Sequence, residues 1–233
     1  MSDSIQKIIN ELNNKNFKKA LDLCENYPEN NDLHILNNLK GVIFINLNDH
    51  SKAIEHFKKS LNYKKDYLEG YSNLANAYFS IKNFQESIKT IIKALRYEPK
   101  NLRLNFNLAF FLSENNQYHK AIEQYHIAMK LGYNKEVVLN NIGNIYIKEK
   151  NYTNASEFFF KCLKINSSNY LTINNLVRSL ILKKDFLEAK KYQKKSEKLK
   201  IKNNIYYINK AELLFFSNKY KEAKNILKEF CKK

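Results

Sequence analysis

Asparagine recurs at one place in five successive stretches of the chain: Asn73, Asn107, Asn141, Asn175 and Asn209, each 34 residues after the last. Asparagine makes up about one residue in seven, so five in register by chance is on the order of one in ten thousand. A carboxamide offers donors and an acceptor without charge. A row of them can pair with both the N–H and the C=O of a peptide, gripping main chain rather than side chains. One turn further on stand Asn76, Phe110, Asn144 and Arg178, followed by the apolar row Ile45, Phe79, Ile147, Ile181 and Phe215. Amides beside an apolar row suit an extended or helical partner segment with spaced hydrophobic residues. Alternatively, the amides tie neighbouring stretches of the chain together and the apolar row is core.

Groups for covalent chemistry are not gathered in this way. His34, His50, His56, His119 and His126 include no i, i+4 pair that would set two metal ligands on one helix face. Cys24, Cys162 and Cys231 lie far apart, with neither a disulfide framework nor a zinc pattern, which fits a reducing compartment. Cys162 takes the place of a small packing residue. The sequence has no glycine-rich phosphate loop and no serine or cysteine in a nucleophile motif. The expectation is a non-enzymatic protein without catalytic residues, metal or cofactor.

What must position the amides is a tandem repeat. An aromatic or histidine followed by polar residues and a small residue recurs as FKKA, HSKA, FQES, YHKA, YTNA, FLEA and YKEA. The small residues are Ala20, Ala53, Ser87, Ala121, Ala155, Ala189 and Ala223, spaced 33 once and then 34. With 4 Gly and 2 Pro among 233 residues, the chain has little turn chemistry for a sheet, whereas helices joined by tight polar turns need few of either. A second small set, Gly41, Ala75, Ala109, Gly143 and Ala211, lets paired helices approach, while Phe44, Tyr78, Tyr146, Phe57 and Phe159 fill the gaps between them. Asparagine costs about 0.5 kcal/mol relative to alanine inside a helix, so the row has to be offset by some interaction.

In the stretch Leu68–Asn101, Tyr71, Leu74, Ala75 and Tyr78 mark a first helix, and Ser87, Ile91, Ala94 and Pro99 a second. Leu139, Ile142, Gly143, Tyr146, Ala155, Phe159, Cys162 and Leu163 repeat the pattern. These residues resemble the tetratricopeptide repeat, and the amide row is similar to the asparagine ladder in the superhelix of O-linked N-acetylglucosamine transferase. The resemblance implies an all-α fold: a right-handed superhelical solenoid of about seven helix pairs over 1–233, with repeats near 1–31, 34–67, 68–101, 102–135, 136–169, 170–203 and 204–233. It also implies that first helices line a concave, partner-binding surface. The carboxylate clamp of the chaperone-tail subclass is mostly missing: Asn76 and Asn107 match two of its polar positions, but Ser72, Val137 and Asn141 stand where its lysines and arginine should be. Pro28 shortens the first repeat. Lys190, Gln193 and Glu197 stand where the third repeat has Ile88, Ile91 and Leu95, which predicts a weak interface between the last two repeats.

The net charge of +17 raises nucleic acid as a partner, but co-enrichment of Lys, Asn, Ile and Tyr is what an A/T-rich coding sequence produces. The lysines fall mainly on second helices, for example Lys58, Lys59, Lys89, Lys93, Lys161 and Lys164, which leaves the amide surface near neutral and argues against nucleic acid there. A basic end, Lys190, Lys191, Lys194, Lys195, Lys198, Lys200 and Lys202, suits a solvated face or contact with RNA, an acidic protein or an anionic surface. No apolar run approaches the length of a membrane span, and the start lacks a signal-peptide pattern, so a cytoplasmic location is expected. The leading expectation is an adaptor that binds a protein or peptide segment through the asparagine row. The alternatives are RNA or anionic-surface binding, recruitment of substrates to a separate transferase, and self-association at the C-terminal end.

Overall fold

The computed structural model describes residues 3–28, 32–199 and 203–231. Lys200 and Lys202 of the basic end lie outside the described residues. Among those described there are fourteen α-helices and no strand. The chain divides into two compact units, 1–127 and 128–233, with the boundary inside the eighth helix.

The N-terminal unit holds α1 (Asp3–Asn13), α2 (Phe17–Glu25), α3 (Leu33–Asn46), α4 (His50–Tyr63), α5 (Leu68–Ser80), α6 (Phe84–Leu95), α7 (Leu102–Glu114) and most of α8 (Tyr118–Lys130). The C-terminal unit holds α9 (Lys135–Lys148), α10 (Tyr152–Ile165), α11 (Tyr170–Leu182), α12 (Phe186–Lys198), α13 (Asn204–Phe215) and α14 (Tyr220–Cys231). Odd-numbered helices are the first of each pair. α2, ahead of Pro28, has 9 residues, against 12 in α6 and 14 in α4 and α10.

Each pair closes through the same turn. Lys15, Asn48, Lys82, Asn116, Lys150, Lys184 and Asn218 have φ between 58° and 67°, five residues ahead of each small packing residue. Left-handed backbone ends the first helix: the N–H after this residue returns to a carbonyl five positions back, as in Asn83 N–H to Tyr78 O at 2.9 Å and Asn151 N–H to Tyr146 O at 2.8 Å. Asn83, Asn151, Asp49 and Asp185 then cap the second helix with their side chains. Asparagine tolerates this conformation better than most residues, while lysine accepts it at a cost; the two thus do work that glycine usually does.

The small residues sit where the helices cross. Ala20, Ala53, Ser87, Ala121, Ala155 and Ala189 are fully buried, and Ala223 nearly so. A Cβ added at Gly41 would collide with the Phe57 ring, and one added at Gly143 would meet the Phe159 ring at 2.7 Å. In the N-terminal unit Ile5, Ile8, Cys24, Leu36 and Ile43 form one core cluster and Ala53, Phe57, Leu74 and Ala77 another. In the C-terminal unit the core gathers Phe159, Leu163, Ile173, Leu176, Val177 and Leu180. Each helix pair leaves an apolar face that only its neighbour covers, so stability comes from repeats and nearest-neighbour interfaces together.

Candidate functional site

The residues of the amide row on the first helices divide between tying repeats together and standing free. In the N-terminal unit the half-buried Asn73 of α5 donates from Nδ2 to Oδ1 of Asn38 on α3 at 2.9 Å. Asn38 is 1% exposed, and its own Nδ2 donates to Glu69 Oε1 at 3.2 Å and Tyr67 Oη at 3.4 Å. Tyr67 in turn donates to the other Glu69 oxygen at 2.9 Å. Burial, with the Glu69 charge beside it, pushes the Tyr67 phenol above its ordinary pKa, so it stays a donor.

The C-terminal unit repeats the arrangement. Asn175 on α11 donates from Nδ2 to Asn140 Oδ1 and Asn144 Oδ1 of α9, each at 3.3 Å. Asn209 on α13 is fully buried and donates to the backbone oxygen of Asn174 at 2.8 Å. Burial puts Asn209 out of a partner's reach. Arg178 is ion-paired with Glu212, and Asn141 donates to Val137 O in its own helix at 2.8 Å.

Asn73, Asn175 and Asn209 each reach 35 residues back, to the first helix of the preceding repeat. A net gain of about 0.5 to 1.5 kcal/mol for each such bond is enough to offset the helix-propensity cost of asparagine. The acceptor residues Asn38, Asn140 and Asn174 were legible in the sequence, one place ahead of the row and separated by multiples of 34, but their role appears only once the helices are stacked.

Two members of the amide surface are not committed. Asn76 is exposed and Asn107 half-buried, and neither has a hydrogen-bond partner among the described residues. They lie one turn before Phe79 and Phe110, whose ring centroids are 5.2 Å apart. Phe79 also packs on Phe84 and Phe111, which fixes the aromatic platform. The separation of 31 residues that brings these rings together also separates Asn144 from Asn175, and Asn76 from Asn107. In the C-terminal unit the apolar row is partly core: Ile181 is 4% exposed, while Phe215 is exposed and borders a recess of about 470 Å³ with Phe186, Phe216 and Glu212.

Sequence profiles of the tetratricopeptide repeat match residues 36–67, 68–101, 91–123 and 137–169, together just over half of the chain. The chain belongs to the tetratricopeptide repeat family. Its fold is an all-α helical-repeat solenoid. A tetratricopeptide repeat protein from Parabacteroides merdae superposes with a TM-score of 0.80 at 11% identity, over 97% of this chain and 90% of that one. YrrB, described as a tetratricopeptide protein with an unusual peptide-binding site, superposes with a TM-score of 0.59 at 18% identity, over 83% of this chain and 97% of that one. The BBSome complex member BBS4 of Bos taurus is 26% identical over 136 residues, which are 58% of this chain. The chain spans about a quarter of the length of that curated relative.

His34, His56, Cys24 and Cys162 of this tetratricopeptide chain serve packing, whereas Cys231 and His119 are exposed. His56 Nδ1 lies 3.1 Å from Asn37 Oδ1, and its ring stacks on Phe44 at 5.3 Å. His34 meets the Tyr67 ring edge-on at 5.0 Å. Burial holds the Cys24 thiol at about 11 and raises that of Cys162, whose Sγ donates to Glu136 O at 3.4 Å. Among the described residues no three or more His, Cys, Asp or Glu side chains cluster to hold a metal ion, and no helix is long and apolar enough to cross a membrane. The named second-helix lysines Lys58, Lys59, Lys89, Lys93, Lys161 and Lys164 are all exposed.

Proposed function

We propose that this chain is a non-catalytic adaptor that holds a peptide segment of a partner protein against its first helices. The observation that carries this is the pair of uncommitted amides Asn76 and Asn107 beside the Phe79–Phe110 platform. The amides take the N–H and C=O of the segment while the rings take an apolar side chain. On the C-terminal unit, Asn141, Asn144 and Arg178 stand at the corresponding places but each already has a partner within the chain, and Asn73, Asn175 and Asn209 act as ties between repeats. This divides the ladder by duty. That YrrB is described by a peptide-binding site, and BBS4 by membership of a multiprotein complex, supports an adaptor role.

Selection of a displayed library of random 12-residue peptides on the full chain tests this. Selected peptides should bind about tenfold more weakly to Asn76→Ala/Asn107→Ala, with the melting temperature close to that of the parent. Unchanged binding would make the pair bystanders.

A further inference from the structure

A second surface lies in the C-terminal unit, away from the amides. α12 and the end of α13 enclose a groove of about 630 Å³. Leu187, 84% exposed, stands at its mouth, and Leu213 and Leu214 line it. Lys190 and Lys194 follow Leu187 at helical spacing on the same face of α12.

The charges around the groove are unbalanced. Lys191 is paired with Glu188 at 2.9 Å, Lys210 with Glu197 at 2.8 Å and Lys219 with Glu222 at 3.0 Å. Lys190 and Lys194 have no carboxylate partner among the described residues, and Glu197 is the one carboxylate that lines the groove with five lysines. Gln193, between them in sequence, is 5% exposed, lines the same groove, and has neither amide atom hydrogen-bonded. A leucine left 84% in water beside two unpaired cations and an unpaired amide is a surface short of apolar contact and of negative charge at once.

From this we propose that the α12–α13 groove docks an acidic, leucine-bearing segment of a partner protein. The segment's leucines cover Leu187 and Leu214, and its carboxylates reach Lys190 and Lys194. Nucleic acid fits less well: the groove wall offers leucines rather than aromatic rings on which bases stack. This surface is independent of the Asn76–Asn107 pair.

The probe is a fluorescein-labelled peptide of four Glu-Glu-Leu-Leu quartets, titrated against the full chain by anisotropy. Leu187→Ser and Lys190→Glu/Lys194→Glu, all at exposed positions, should each weaken it by about tenfold, with helicity by circular dichroism unchanged. Replacing the probe's leucines with serine should weaken it by about the same factor, and Asn76→Ala/Asn107→Ala should leave it unaltered. The proposal is overturned if the probe fails to bind at about 1 mM, or if the variants bind it as the parent does. It is overturned equally if a labelled oligouridylate or phosphatidylserine vesicles bind the parent more tightly than the probe and Leu187→Ser leaves that binding unchanged.

Discussion

Asn73 Nδ2 donates to Asn38 Oδ1 across 2.9 Å, and the two residues are 35 positions apart in adjacent repeats of the N-terminal unit. The bond joins an amide that could face a partner to one that is 1% exposed, so Asn73 belongs to the structure. Asn107, at the same place one repeat later, has no such bond.

Stability should therefore separate the two. Asn73→Ala breaks a half-buried hydrogen bond and strands a buried acceptor, and it should cost about 1 kcal/mol in urea unfolding. Asn107→Ala removes a poor helix former with nothing to lose, and it should be neutral or stabilising by up to about 0.5 kcal/mol. Equal costs at both sites would contradict the division of duties.

Gly143 tests the close approach of α9 and α10. Alanine normally gains about 1 kcal/mol over glycine in a helix. Here its Cβ would meet the buried Phe159 ring at 2.7 Å, and forcing that ring aside costs about 1 to 3 kcal/mol. Gly143→Ala should lower the melting temperature, whereas Gly132→Ala, whose Cβ meets nothing but whose φ is +101°, should lower it through backbone strain alone. Repair of Gly143→Ala by Phe159→Leu would identify the ring as the cause.

Gln193 marks the interface of the last two repeats. Both its amide atoms are buried without partners, as are Asn174 Nδ2 and Asn209 Oδ1 nearby in sequence register. Each such atom costs about 1 to 3 kcal/mol, so Gln193→Leu should raise the unfolding midpoint. A lower midpoint would show that the amide is satisfied in solution.

The histidines set a pH dependence. Burial first, then the Lys59 and Lys40 charges, holds the His56 imidazole below its ordinary value of 6.5, and burial with Lys64 does the same for His34. The unfolded chain binds these protons more readily than the folded one, so stability contributed by the neutral rings is intact above about pH 6.5 and falls as pH drops below it. His56→Gln should flatten this slope between about pH 5 and 6.5; an unchanged slope would place the titration elsewhere.

Much of the fold was legible because it is periodic. Ala155 and Ala189 could be placed at helix crossings from spacing alone, and Gly143 from its match to Ala75. Gln193 could be flagged because a polar residue stood where the third repeat has Ile91. The site was harder to read. Spacing puts Asn73, Asn107 and Asn209 in one row, yet it cannot say that Asn209 is buried or that Asn73 has an acceptor 35 residues back. Those facts depend on what fills the preceding place, Asn38 and Asn174 in two cases and Ser72 in the third. The left-handed lysines at Lys82 and Lys150 carried no sequence signal except their period, since the residue type ordinarily avoids that backbone.

The side-chain amide region of a ¹H–¹⁵N spectrum, followed while a selected peptide is titrated into the full chain, tests the central claim most directly. The Asn76 and Asn107 resonances should move to saturation with the peptide while that of the buried Asn209 stays in place. Saturation of the chain with Asn76 and Asn107 unmoved would contradict the account.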